Sequence, residues 1–199
     1  MRISGGAARG ITLTVPKGTL TRPATDGMRQ GVFSSLGARI VGARFLDLFA
    51  GSGAYGLEAL SRGAAGGVFV EQSPKAAACV RKNIEAVCKS LGREPRDLAV
   101  VQADARHAPA GGGAVPDLVF VDPPWEIIPE IAPALFARLA ELLVPNPDAL
   151  VVFEYPGEIE LAPEGWELRK RLGKGARQPT AGFFRRADTI ATADPAAPE

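Results

Sequence analysis

Apolar and polar positions along this 199-residue chain fall into two alternating rhythms. Short runs are apolar almost without a break: RFLDLF (44–49), GVFVE (67–71), LAVVQ (98–102), DLVFVD (117–122) and ALVVFEY (149–155). Between them apolar residues recur every three or four positions, the spacing of a helix with one buried face. This predicts helices near 54–62, from Pro74 to about Leu91, and over roughly 129–143. Pro74 suits a first helical turn, which has no use for the missing N–H. Earlier in the chain, Thr25 or Asp26 can cap a helix reaching about Leu36, with Met28, Val32, Phe33 and Leu36 on its apolar side. Strands that alternate with helices and are apolar throughout belong to a sheet covered on both faces. The pair WELRKR (166–171) and AGFFRR (181–186) closes it. The expected fold is α/β: a doubly wound, mostly parallel, seven-stranded Rossmann-like sheet.

Residues 1–23 read as a small hairpin, with RIS, the pair Gly5-Gly6, and ITLTV before Pro16. The expected organisation is an N-terminal hairpin and helix over 1–43, a core over 44–186, and a disordered tail over 187–199, whose sequence has no periodicity. Hydrophobic content of 46% and charged content of 23% fit a folded globular domain, and 23 glycines with 17 prolines imply many sharp turns. No run approaches the length of a membrane helix, and MRISGGAARG has no apolar signal core, so a cytoplasmic location is expected. Cys79 and Cys88, nine apart in one helix, face opposite ways and cannot pair. No metal site is expected, and His107, the single histidine, lies in a loop.

Charge changes the picture more. Residues 1–44 carry seven Lys or Arg against Asp26 alone, and residues 165–186 carry seven against Glu167 alone. Two basic ends flank an acidic middle, which points to a polyanionic partner. Arg2, Arg9, Arg22, Arg29 and Lys174 are the expected phosphate contacts.

Candidate chemistry sits where apolar runs end. After the first core strand, Gly51, Gly53 and Gly56 spell G-x-G-x-x-G, and Glu71 ends the next strand. In that context glycines let a backbone approach an adenosine-containing ligand, while the acid holds ribose hydroxyls. Asp47, inside the first strand, suits a ligand bearing an ammonium and a sulfonium, which favours S-adenosylmethionine over a nicotinamide dinucleotide. Asp104, in QADA, can accept from an adenine amino group. Asp47, Glu71, Asp104 and Asp122 thus all fall at or near strand ends, the ligand edge of an open α/β sheet.

The run VFVDPPW stops a buried strand on Asp122 and stiffens the three residues after it. An exocyclic amine of a base is a poor nucleophile because its lone pair is delocalised into the ring. Two fixed acceptors that grip its N–H bonds redirect the lone pair: the Asp122 carboxylate and the Pro123 carbonyl, whose direction is restricted by Pro124. Trp125 offers a flat face for an extruded base.

Together these residues resemble the RsmD family of 16S ribosomal RNA guanine-N2 methyltransferases. The likeness runs through RISGGAARGITL, TRPATDGMRQGVF, FLDLFAGSGAYGLEALSRGA, Glu71, QADA, VFVDPPW and AGFFRR, roughly residues 2–186. It implies a cofactor loop of Asp47, Phe49, Ala50, Gly51, Ser52 and Gly53, with ribose contact at Glu71 and Gln72 also in the cofactor site. It implies adenine contact at Asp104 and Ala105, and catalysis at Asp122, Pro123, Pro124 and Trp125, with Asp122 also facing the cofactor. The hairpin and TRP segment would cover the cofactor and meet the RNA. Departures are Ala24 for Thr, Gln30 for Glu, Trp125 for Phe or Tyr, and Phe183-Phe184 where a Tyr is usual. The expected partner is 16S ribosomal RNA or the small-subunit particle, with the enzyme a monomer. The residues alone leave open an amino-methyltransferase acting on DNA or another RNA, a nicotinamide-dependent oxidoreductase, and a non-catalytic RNA-binding module.

Overall fold

Five strands pair in parallel: β1 (Arg44–Leu48), β2 (Gly66–Val70), β3 (Leu98–Val101), β4 (Leu118–Val121) and β5 (Leu150–Pro156). A hairpin of β6 (Trp166–Leu172) and β7 (Pro179–Arg186) adds to them, with β7 antiparallel to β5. The sheet order is β3-β2-β1-β4-β5-β7-β6. These features come from a computed structural model that describes residues 1–16, 26–107, 114–173, 175–176 and 178–187. The expected Thr25 cap, most of the glycine-rich 110–114 loop and the tail beyond 187 lie outside the described residues.

Four α-helices flank the sheet: α1 (Asp26–Leu36), α2 (Ala54–Ser61), α3 (Pro74–Leu91) and α4 (Ile128–Leu142). Local chemistry sets their ends. Ser73 Oγ accepts from the Ala76 N–H at 3.4 Å and Pro74 opens α3, which stops at Gly92 in the left-handed region. Period-two alternation then sorts the strand side chains into two cores. Phe45, Phe69, Phe120, Val152 and Phe183 join residues of α1, α2 and α3. Leu48, Val119, Val151, Phe153 and Phe184 pack with Ala132, Leu135 and Phe136 of α4.

The chain leaves β1 toward β2 on one side and resumes with β4 on the other. That reversal parts the loops at the carboxyl ends of β1 and β4, so the ligand crevice of an open sheet forms there.

Among the described residues the N-terminal hairpin is held by the Arg2–Thr12 bridge and by backbone bonds from the Ile3 N–H to the Ile11 carbonyl at 2.9 Å, the Gly10 N–H to the Ile3 carbonyl at 2.9 Å and the Leu13 N–H to the Met1 carbonyl at 3.0 Å. Its glycine turn docks on the end of α2: the Ala7 N–H donates to the Ser61 carbonyl at 2.7 Å, and Ser61 Oγ donates to the Gly5 carbonyl at 2.6 Å.

Arg29 corrects a sequence expectation. Its side chain is fully buried rather than offered to phosphate. It donates to the Asp26 carboxylate and the Arg2 carbonyl, both at 2.7 Å, and lies 3.5 Å from the buried Glu58 carboxylate. Glu58 also accepts from the Ser4 N–H and hydroxyl and from Arg62. This cation clamps the N-terminal segment to α1 and α2. Cys79 is half-buried and Cys88 buried, both free thiols on different sides of α3.

Candidate active site

A cleft of about 710 Å³ opens over the carboxyl ends of β1 and β4, within the range of small-molecule sites. Its floor is the turn after β1. The Ala50 N–H donates to the Val70 carbonyl at 3.0 Å, and the Gly53 N–H returns to the Ala50 carbonyl at 2.7 Å, folding the chain back on itself. Phe49 adopts a left-handed φ of 60°, a costly conformation for a residue with a side chain and one found at ligand sites. The third glycine serves packing. A Cβ on Gly56 would strike the rings of Phe45 and Phe69.

Two carboxylates brace this turn. Glu71 Oε2 accepts from the Gly51 N–H and Oε1 from the Ser73 N–H, each at 2.8 Å. Each oxygen keeps a second lone pair for a ligand hydroxyl. Asp47 is 2% exposed, and its Oδ2 accepts from the Gly56 N–H at 2.9 Å. Burial pushes its carboxyl up to about 8 from 3.8; the Gly56 bond opposes this and the Glu71 charge adds to it. A buried acid lining a cleft beside the charge of Glu71 is what a cationic ligand would stabilise. Asn83 holds the opposite wall: its amide donates to the Ser52 and Thr14 carbonyls at 2.9 and 2.8 Å, and its oxygen accepts from the Thr14 N–H at 2.8 Å. Met1, Val15 and Pro16 consequently border the cleft.

The far wall is the segment after β4. Asp122 is half-buried, and Pro123, Pro124 and Trp125 line the same cleft. Pro124 precedes a single 3-10 turn, Trp125–Ile127, whose Ile127 N–H donates to the Pro124 carbonyl at 3.2 Å. The turn leads straight into α4, so helix begins earlier than the sequence pattern suggests. Trp125 is half-buried, with one side packed on the core.

Of the sequence-expected residues, Asp47, Phe49, Ala50, Gly51, Ser52, Glu71, Gln72, Ala105 and the Asp122–Trp125 segment all line this cleft. Gly53 lies just beneath it as the residue before α2. Asp104 is placed differently. Arg106 grips its carboxylate through Nε and Nη2, at 2.6 to 3.1 Å, which holds it below the usual carboxylate range. It is not among the residues lining the cleft. Arg2 and Arg9 are exposed, whereas Arg22 and Lys174 lie outside the described residues.

Two residues escaped the sequence reading. Tyr55, on α2, lines the cleft and donates to Glu154 Oε2 at 2.8 Å. Glu154 falls near the end of β5 in FEY, the strand-end position already noted for four other acids.

The cleft fits S-adenosylmethionine on its own terms: a buried acid that a cationic methionine moiety would ionise, a backbone turn for close approach, and a braced acid for a ribose. Comparison with known proteins agrees. A family model described as "Conserved hypothetical protein 95" matches residues 1–181. The chain is 36% identical over 181 residues to "Ribosomal RNA small subunit methyltransferase D" of Escherichia coli (strain K12), covering 88% of this chain and 85% of that protein. It is 34% identical over 161 residues to "Putative rRNA methyltransferase YlbH" of Bacillus subtilis (strain 168), covering 81% and 85%. Among solved structures, "Putative methyltransferase yhhF from Escherichia coli" superposes with a TM-score of 0.71 at 35% identity, covering 94% of this chain and 97% of that one. The chain belongs to this family, the RsmD family of ribosomal RNA small subunit methyltransferases.

Proposed function

We propose that this protein methylates the exocyclic N2 amine of a guanine in 16S ribosomal RNA. The observation that carries the reading is the meeting, in one cleft, of the Gly51 turn braced by Glu71 with Asp122 and its proline-stiffened segment. The family's ribosomal RNA relatives and the exposed Arg2 and Arg9 support an RNA substrate. The D-P-P-W chemistry supports an exocyclic amine as the acceptor, and the family supports guanine N2.

Asp47 and Glu71 would hold the cofactor's ammonium and ribose, and the Phe49–Ser52 turn would receive its backbone-facing side. Bound there, S-adenosylmethionine would supply an electrophilic methyl on a sulfonium that can leave as a neutral thioether. The chain's own work is positional. Asp122 accepts an N–H of the amine and turns its lone pair away from the ring. Pro123 and Pro124 keep that acceptor from drifting, and Trp125 presents a face on which the extruded base can stack. After transfer the nitrogen carries one proton too many, and Asp122 is the adjacent group able to take it.

The same reading takes the substrate as naked 16S RNA or the small-subunit particle and the enzyme as a cytoplasmic monomer. No helix among the described residues is long and apolar enough to cross a membrane. Incubation with methyl-labelled cofactor and each RNA form, followed by nucleoside digestion and mass analysis, tests it. Label in N2-methylguanosine supports the reading. Label in another nucleoside, in DNA, or in no nucleic acid rejects it.

A further inference from the structure

Three carboxyls stand at the carboxyl edge of three neighbouring strands: Asp47 on β1, Asp122 after β4 and Glu154 on β5. The last registered pair of β4 and β5 is Val121 with Phe153, so Asp122 and Glu154 come next, side by side at a strand spacing of about 4.8 Å. Alternation puts Asp47, in register with Phe120, and Glu154, two residues after Val152, on the same face of the sheet. Glu154 is only 3% exposed and does not line the cleft. A sealed carboxylate beside a second one is costly, and an apolar residue would pack there more cheaply.

Its surroundings say which of the two acids carries charge. Tyr55, 5% exposed and stacked against Phe120, donates its hydroxyl to Glu154 Oε2 at 2.8 Å. From β7 the registered neighbour is Ala181, which brings no charge. From α1 the positive field of Arg29 reaches Glu154, although that guanidinium is shared with Asp26 and Glu58. Asp122 feels the negative charges of Glu154 and Asp47. Two carboxyls this close cannot both ionise freely, and the donor on Glu154 favours the charge there.

We propose that Glu154, its charge held by the Tyr55 hydroxyl, is a positioning residue that keeps Asp122 basic enough to take the proton shed by the methylated amine. The step starts from ionised Asp122: the N–H bond breaks with its electron pair remaining on nitrogen, an O–H bond forms on Asp122, and the two carboxyls end with one proton on Asp122 and the charge on Glu154. The inference rests on the methyl-transfer reading above. The electrostatics agree with the geometry: burial, then Glu154, then Asp47 push the Asp122 carboxyl well above its usual range. On Glu154 burial also raises the carboxyl, and the Tyr55 bond and then Arg29 offset that rise in part. An ordinary carboxylate would be a weak base near neutrality, whereas one raised above its usual range takes a proton more readily.

Carboxyl ¹³C NMR titration of the full chain without substrate provides the test, with the Asp122 signal identified by its loss in Asp122→Asn. In Glu154→Gln the Asp122 titration should fall by about one pH unit or more, a tenfold change in proton affinity. In Tyr55→Phe it should move the same way by less, because Glu154 then competes better for the shared proton. The acid limb of the kcat/KM profile should shift downward with the Glu154→Gln titration, a change that mere loss of packing would not produce. An Asp122 titration that stays in place in both variants overturns the proposal, and Tyr55→Phe alone decides if Glu154→Gln does not fold. A shifted titration in a protein whose wild type methylates no RNA would instead remove the functional reading and leave the Glu154–Asp122 coupling standing.

Discussion

Replacing Asp47 with asparagine keeps the shape of the side chain, and an amide oxygen can still accept from the Gly56 N–H, but the charge is gone. In the wild type, burial raises this carboxyl from 3.8 to about 8, so the folded chain holds its proton more tightly than the unfolded chain does. The resulting stabilisation is complete below about pH 4 and is lost as pH rises toward 8, because only the unfolded state ionises freely in that window. Each pH unit there is worth about 1.4 kcal/mol, and the whole window on the order of 5 kcal/mol. Asparagine does not titrate. Asp122 and Glu154 are present in both chains, so subtraction largely isolates Asp47. Urea unfolding followed by circular dichroism, at half-unit pH steps and constant ionic strength, gives the comparison. The stability of Asp47→Asn relative to wild type should climb by about 1.4 kcal/mol per pH unit between 4 and 8. A flat difference over that range would mean that Asp47 is already ionised in the folded cleft, and the argument from burial fails. Calorimetry should show the opposite trend for function: affinity for S-adenosylhomocysteine, which keeps the ammonium group, should drop by about tenfold or more as one desolvated charge pairing is lost.

Three further substitutions probe packing and partner. Gly56→Ala places a methyl 2.6 Å from Phe45 Cε2 and 2.8 Å from a second ring atom on Phe69, so it should cost about 1–3 kcal/mol and lower the urea midpoint without changing the slope. Arg2→Ala and Arg9→Ala should each weaken RNA binding and reduce the slope of log affinity against log salt by about 0.7, as expected for loss of one phosphate contact on a single strand. An unchanged slope in both would place the RNA elsewhere.

Much of the fold is legible in the sequence because its signals are local. Unbroken apolar runs give β1 to β5 within a residue or so, and Ser73, Pro74 and Gly92 fix α3 at both ends. The site is legible where one short segment carries both geometry and chemistry, as in the turn after β1 and the Asp122–Trp125 segment. What stays hidden depends on residues far apart in the chain. Tyr55 and Glu154 are 99 positions apart, and Asn83 reaches 69 positions back to Thr14. Neither partner advertises the other. Arg29 looks like a surface cation until Glu58 and the Arg2 carbonyl are brought to it, and Asp104 looks like a ligand contact until Arg106, two residues on, takes its carboxylate. Charge in a sequence tells what a side chain can bind; only the packed neighbours tell what it does bind.

Single-turnover methyl transfer by Asp122→Ala, measured alongside cofactor affinity, addresses the central claim most directly. If a rigid acceptor at the sheet edge aligns the amine, the rate of transfer to ribosomal RNA should fall by about a thousandfold. Cofactor affinity should stay within a few fold, since Asp47 and Glu71 remain in place. Wild-type rates in Asp122→Ala, or a loss traceable wholly to failed cofactor binding, would contradict the account.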